Sequence, residues 1–223
     1  MKRNGGWRVV LNRHLIIDFD STFITGESLD WLAEIADPSV VSQLRKITKQ
    51  GMDGSISYRD SLTSRLRLFS PTKDHINQLI TKIQSSITQS IIQNQNWITQ
   101  HRDTIFIISG GFLDYMREPL ESFGILPDHI YGNTFIFDDD CVVGFDTDNP
   151  LSQSGGKAKV VKSLHLTGEI IVVGDGITDY EIVSKGAADI FIAFTENVSR
   201  QPVIDVSKQE ACSFNEVISF YES

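Results

Sequence analysis

The stretch Leu15-Ile16-Ile17-Asp18-Phe19-Asp20-Ser21-Thr22 decides how this chain is read. Its apolar residues run without alternation into two carboxylates set two positions apart. A continuous apolar run of this kind reads as a strand buried on both faces, the mark of a parallel sheet. The form recurs twice. Ile105-Phe106-Ile107-Ile108 runs into Ser109-Gly110-Gly111, and Ile170-Ile171-Val172-Val173 runs into Gly174-Asp175-Gly176. Ile190-Phe191-Ile192-Ala193-Phe194 is a fourth candidate. Helical patterns at Lys159–Leu164 and Asp179–Ala187 flank the third strand, as parallel crossovers require. The expected fold is α/β: a Rossmann-like parallel sheet core with helices on both faces. In such sheets ligands sit beyond the carboxyl ends of the strands. Asp, Ser and Gly at one strand end are ordinary turn and cap residues. At three strand ends they outline a site.

About eighty residues, Phe23 to Asp103, separate the first two motif strands, far more than a direct crossover needs. They read as an inserted, four-helix-type cap. Its stripes are Leu29, Leu32, Ala33, Ala36; then Val40, Leu44, Ile47; then Leu62, Leu66, Phe69; then Ile76, Leu79, Ile80, Ile83, Ile87. Asp53-Gly54 predicts a turn between the second and third helices. Ser70-Pro71 predicts the cap and first position of the fourth. Residues 1–24 and 101–223 then form the core domain and 25–100 the helical cap, a lid above the catalytic edge. Phe135-Ile136-Phe137 and Cys141-Val142-Val143 flank Asp138-Asp139-Asp140, which reads as a β-hairpin with a solvated acidic turn rather than as a metal site. Trp7 to Leu11 is read as an edge strand.

Composition sets outer limits. The chain has 223 residues and a formal net charge of −9, with 40% hydrophobic and 22% charged residues, which is ordinary globular composition. The acidic balance argues against nucleic acid as a partner. No apolar run approaches the ~18 residues of a membrane span, so no membrane association is expected. Nothing at the start resembles an export signal, and a cytoplasmic monomer or homodimer is expected. Cys141 and Cys212 lack metal-ligand spacing and read as buried or partly buried thiols in a reducing compartment.

The strand-end residues support a definite chemistry. One of Asp18 and Asp20 can attack while the other moves a proton. Asp175 arrives from another strand, and two carboxylates with a backbone carbonyl make a hard-oxygen site suited to Mg²⁺. Ser109-Gly110-Gly111 is expected to open a helix whose free N–H groups favour an anion. Lys157, after Gly155-Gly156, supplies a fixed positive charge that Asp179 can pair with. Together these describe phosphoryl transfer from a small phosphate monoester to a carboxylate. Gly174-Asp175-Gly176 is no dinucleotide loop, because Asp179 stands at the third glycine position. Gly155-Gly156-Lys157 is no P-loop, because Ala158 replaces Ser/Thr.

The set DFDST, SGG, a Lys after GG, and GDGxxD, each after an expected strand, resembles the haloacid dehalogenase-like phosphatase superfamily. The resemblance runs from Leu15 to about Phe194. Within it, DFDSTFITGESLDWLAEIA and ITKQGMDGSISYRDSLTSRLRLF are similar to the first motif and cap signature of the phosphoserine phosphatases. That resemblance implies Asp18 as a nucleophile forming an aspartyl phosphate, and Asp20 as the acid that protonates the seryl oxygen and then activates water. It implies Ser109, Gly110 and Lys157 around the phosphoryl group. Mg²⁺ would be held by Asp18, the Asp20 carbonyl and Asp175, supported by Asp179. Glu27 would meet the substrate ammonium and Arg65 its carboxylate, with Met52 and Tyr58 lining the pocket. The head-group chemistry is independent of the likeness, since an amino acid needs one anion and one bidentate cation.

Two positions depart from the pattern. Thr178, in the substrate-binding segment, stands where the family usually has Asn. Tyr58 stands where an apolar aromatic is common, adding a hydroxyl to the pocket. The leading expectation is Mg²⁺-dependent hydrolysis of O-phospho-L-serine. One alternative is a related phosphatase or phosphotransferase using another small phosphate monoester. A second is a catalytically inactive binding or regulatory module.

Overall fold

The computed structural model describes residues 12–52 and 55–223. The first apolar run forms β1 (Arg13–Ile17). Six helices follow before the next strand: α1 (Ser28–Ala36), α2 (Val41–Met52), α3 (Tyr58–Leu66), α4 (Lys73–Gln84), α5 (Gln89–Gln93) and α6 (Gln95–Gln100). Then come β2 (Ile105–Phe112), α7 (Leu113–Phe123), β3 (Ile130–Asn133) and the pair β4 (Phe135–Asp138) and β5 (Cys141–Phe145). The chain ends with α8 (Gly156–Ser163), β6 (Glu169–Gly174), α9 (Ile177–Ser184), β7 (Ile190–Phe194), α10 (Gln201–Val206), β8 (Gln209–Ala211) and α11 (Phe214–Glu222). Among the described residues six strands make one sheet in the order β3-β2-β1-β6-β7-β8, every neighbouring pair parallel. β4 and β5 form the expected antiparallel hairpin.

The unalternating strand runs are explained by two covered faces. Leu15, Ile17, Ile105, Ile107, Ile171, Val173 and Ile192 pack with Tyr115, Met116 and Leu120 of α7 and Phe214 and Val217 of α11. Their neighbours Ile16, Phe106, Ile108, Val172, Phe191 and Ala193 pack with Ala158 and Val161 of α8, Ile182 of α9 and Val203 of α10. Period-2 geometry sends successive residues to opposite sides, and both sides are dry. The stripes of the insertion join the first cluster through Leu32, Leu44, Leu62, Leu79 and Ile83. On the core side, Trp97 of α6 meets Phe214 and Tyr221 edge-on at 6.0 and 5.2 Å. The hairpin grips the insertion from the other side, where Val142 N donates to Pro71 O at 2.9 Å and Lys73 N to Asp140 O at 3.0 Å. Among the described residues no helix is long and apolar enough to cross a membrane.

Several local expectations are corrected. The insertion carries six α-helices rather than four. α4 begins at Lys73, not Pro71, because Thr72 forms a capping box with His75 that outcompetes the Ser70-Pro71 signal. Phe69, Ile87 and Ala187 lie beyond the helices whose stripes they extend; Ile87 instead bridges Ile24 in an isolated antiparallel contact. Ser109-Gly110-Gly111 completes β2, and α7 starts only at Leu113. Both cysteines are exposed. Cys141 sits at the hairpin turn, and Cys212 follows β8 with its thiol donating to Glu216 at 3.3 Å. The Trp7–Leu11 strand and the Asp53-Gly54 turn lie outside the described residues.

Leu44, fully buried in α2, ties the insertion to this core. Leu44→Ala is expected to lower unfolding stability by about 2–5 kcal/mol. Urea denaturation measures this, and a loss below ~1 kcal/mol would mean that α2 is not packed as described.

Candidate active site

Strand order creates the site. β1 lies between β2 and β6, and the chain leaves β1 in one direction through β2 and β3 before returning on its other side through β6, β7 and β8. That reversal opens a crevice at the carboxyl ends of β1 and β6. The register Ile17↔Val173 then sets Asp18 and Asp175 side by side. Asp18 N donates to Val173 O at 3.0 Å, and the Asp18 carboxylate accepts from Phe19 N at 2.7 Å.

The chain after Asp18 turns sharply. Ser21 holds φ at 53°, a left-handed conformation that costs a non-glycine residue on the order of 1–3 kcal/mol. Ser21 N donates to Gly26 O at 3.0 Å, and its hydroxyl donates to Glu27 Oε1 at 2.8 Å. The turn lets Asp20 Oδ1 accept from Ser28 N at 2.8 Å, at the start of α1. Burial, with Glu27 next and Asp18 contributing, pushes the Asp20 carboxyl well above the usual carboxylate range.

Lys157 occupies the centre. Its Nζ lies 2.6 Å from Asp18 Oδ1 and 2.7 Å from Asp179 Oδ1. Gly155, at φ 71°, starts α8 in the left-handed region, where glycine carries no Cβ penalty, and so turns Lys157 inward. Burial alone would lower the Lys157 pKa, but Asp179 and Asp18 outweigh it and keep the ammonium charged. Asp179 tucks under Gly174, where a Cβ would meet its carboxyl at 2.4 Å, and accepts from Gly176 N at 3.1 Å.

Arg200 was not anticipated. Its Nε donates to Asp175 Oδ2 at 2.8 Å, and its Nη2 lies 3.2 Å from Glu27 Oε1. Asn197, in the same segment, donates to the carbonyls of Ser21, Thr22 and Ile24 at 3.2–3.3 Å and to Thr88 Oγ1 at 2.7 Å. Both lie beyond the carboxyl end of β7, with no local motif to mark them. Thr22 Oγ1 approaches Asp175 at 3.5 Å.

On the other wall, Ser109 is buried and its Oγ accepts from Gly111 N at 3.0 Å. Gly110 O accepts from Tyr58 Oη at 3.1 Å and from Asn133 Nδ2 at 2.8 Å. Because α7 starts later, the expected helix N-terminus is not at this wall; the irregular end of β2 is. Arg65 of α3 is 9% exposed, and its Nε has no hydrogen-bond partner among the described residues. Its charge bears on Tyr58 together with those of Lys157, Asp20 and Asp18. Met52 ends α2, and Thr178 lies exposed in the first turn of α9.

Asp18, Asp175 and Asp179 each offer an oxygen within 4.8 Å of the others. Burial, with Asp18 adding, pushes Asp175 up to about 6, against the pull of Arg200. Burial and Asp18 likewise raise Asp179, against Lys157. Carboxylates therefore outnumber the cations touching them, and the cluster is short of positive charge. A hard-oxygen donor set with that deficit fits a divalent cation such as Mg²⁺.

A twisted parallel sheet with acidic residues at its switch point and a lysine between them defines a class of hydrolase. Residues 15–184 match the haloacid dehalogenase-like hydrolase family, and the chain belongs to it. It is 33% identical over 211 residues to the phosphoserine phosphatase of Homo sapiens, spanning 92% of this chain and 91% of that protein. The chloroplastic phosphoserine phosphatase of Arabidopsis thaliana is 30% identical, over 88% of this chain and 67% of that one. A solved phosphoserine phosphohydrolase-like protein from Francisella tularensis superposes with a TM-score of 0.83 at 32% identity, covering 94% of this chain and 99% of that chain.

Metal binding has a direct check. At a free Mg²⁺ concentration ~100 times its Kd, the melting temperature should rise by about 5–10 °C. In Asp175→Asn the rise should fall below ~1 °C over the same titration. Equal shifts in both proteins would exclude Asp175 from the site.

Proposed function

We propose that this chain is a Mg²⁺-dependent phosphomonoesterase that hydrolyses O-phospho-L-serine to L-serine and phosphate through an aspartyl phosphate. The observation that carries the substrate class is Arg65. A guanidinium that is nine-tenths buried with an unpartnered Nε is costly unless an anion completes it. A substrate carboxylate does so bidentately. Glu27, reached by Ser21 and Arg200, offers the complementary charge for an ammonium group. The curated relatives named phosphoserine phosphatase support the same choice.

The geometry supports the following roles. Asp18 is the nucleophile: Lys157 Nζ lies 2.6 Å from its Oδ1 and fixes its direction. Asp20 protonates the leaving seryl oxygen, then takes a proton from the water that attacks the acyl phosphate. Its hydrogen bond to Ser28 N keeps one oxygen anchored and leaves the other for proton transfer. Ser109, Gly110 and Lys157 bind the phosphoryl oxygens. Asp179 orients Lys157. Asp18, Asp175 and the Asp20 main chain would hold Mg²⁺, which would neutralise phosphate charge and offset the repulsion between substrate and nucleophile. Tyr58 lines the pocket, to which Met52 is assigned by the resemblance alone, and Thr178 flanks the phosphate. Residues 25–100 act as a cap over a core of 1–24 and 101–223, and the protein works in the cytoplasm as a monomer or homodimer on a small-molecule substrate.

Arg65→Ala separates this reading from a general phosphatase. It should raise the KM for phosphoserine at least ~30-fold, the loss of a charge-assisted bidentate contact worth about 2–3 kcal/mol. Turnover of an aryl phosphate should stay within ~3-fold of wild type. Equal losses on both substrates would contradict an amino-acid pocket.

A further inference from the structure

We propose that the Tyr58 hydroxyl is a positioning group for the phosphate-binding loop, so that Ser109 is correctly set only while α3 is seated on the core. The Gly110–Gly111 peptide is held at three points. Its carbonyl accepts from Tyr58 Oη at 3.1 Å and from Asn133 Nδ2 at 2.8 Å. Its N–H donates to Ser109 Oγ at 3.0 Å. A carbonyl has two lone pairs, and here each has a donor. Asn133, fully buried at the end of β3, belongs to the sheet, whereas Tyr58 opens α3 in the inserted segment. The peptide thus reads the position of the insertion against the core.

The consequence reaches the chemistry through Ser109. Its oxygen accepts from Gly111 N, and its own O–H remains to be donated. If the peptide rotates, that acceptor contact is lost and the hydroxyl is no longer aimed. The close approach depends on the glycine: a Cβ at 110 would stand 2.0 Å from Tyr58 Oη. Tyr58 replaces the apolar aromatic expected at this position, so the contact comes from this chain's own departure from the motif. The neighbouring Arg59 also reaches the core, donating to Thr147 O at 2.6 Å, but it touches no part of the phosphate loop. It is the natural control for cap seating alone.

The inference rests on the proposed phosphate site, and the test separates the two. In Tyr58→Phe the ring stays and the hydroxyl goes. Inorganic phosphate is the probe, measured as an inhibitor of aryl phosphate turnover and by calorimetry with Mg²⁺ present. Its affinity should fall about 3- to 10-fold, the range for one neutral hydrogen bond. The KM values for phosphoserine and the aryl phosphate should rise by the same factor, while inhibition by L-serine is unmoved. Arg59→Ala should keep phosphate affinity within ~2-fold of wild type. Unchanged phosphate affinity in Tyr58→Phe, a loss confined to phosphoserine and L-serine, or an equal loss in Arg59→Ala would each overturn the role given to Tyr58. A wild type that binds no phosphate would overturn the phosphate site and this inference together.

Discussion

The structure turns on a buried ammonium shared between two carboxylates. Lys157 stands 2.6 Å from Asp18 and 2.7 Å from Asp179, with all three side chains largely withdrawn from water. Like charges ~4 Å apart repel by ~4 kcal/mol at an effective dielectric near 20, so Asp18 and Asp179 cannot sit side by side unaided. The lysine makes their proximity tolerable. Removing one member of such a pair strands a buried charge, at about 3–5 kcal/mol. Strand order, Gly155 and Gly174 all serve this contact: the first brings β1 beside β6, the second turns the lysine inward, and the third leaves room for Asp179.

Lys157 alone does not balance the cluster. Asp175, Asp20 and Glu27 add negative charge, and Arg200 answers only part of it. Burial first, and then the neighbouring carboxylates, push Asp20, Asp175 and Asp179 upward. A divalent ion meets the same deficit, and a phosphate approaching afterward meets a site that is no longer repulsive. The net charge of −9 therefore does not oppose an anionic substrate at contact range, because bulk charge is screened over ~8 Å.

Much of this was legible in the residue order. Runs such as Ile170–Val173 point to a doubly buried strand because they are short, β-branched and bounded by turn residues. Asp18, Asp175 and the Ser109-Gly110-Gly111 run stand at three such strand ends and converge once the strands are parallel. What stayed hidden depends on long-range contacts. Arg200 and Asn197 have no local motif, and their importance arises from the β7 carboxyl end lying near β1 through the sheet. The start of α4 was misplaced because a Thr72–His75 capping box competes with a proline signal two residues earlier. Ser109-Gly110-Gly111 reads as a helix opening, yet β2 extends through it, since Phe112 pairs with Asn133 of β3. The cysteines were expected inside because thiols favour apolar surroundings, but hairpin and loop positions leave them exposed.

The central claim is that Asp18 takes the phosphoryl group covalently. Rapid acid quenching of the enzyme with phosphoserine labelled in the phosphate, followed by borohydride reduction and peptide mapping, tests it directly. Label held by the quenched protein before reduction and released by it, with conversion of residue 18 to homoserine in the mapped peptide, is the predicted result. Turnover of phosphoserine with no trapped acyl phosphate, or with the label on Ser109 instead, would contradict it.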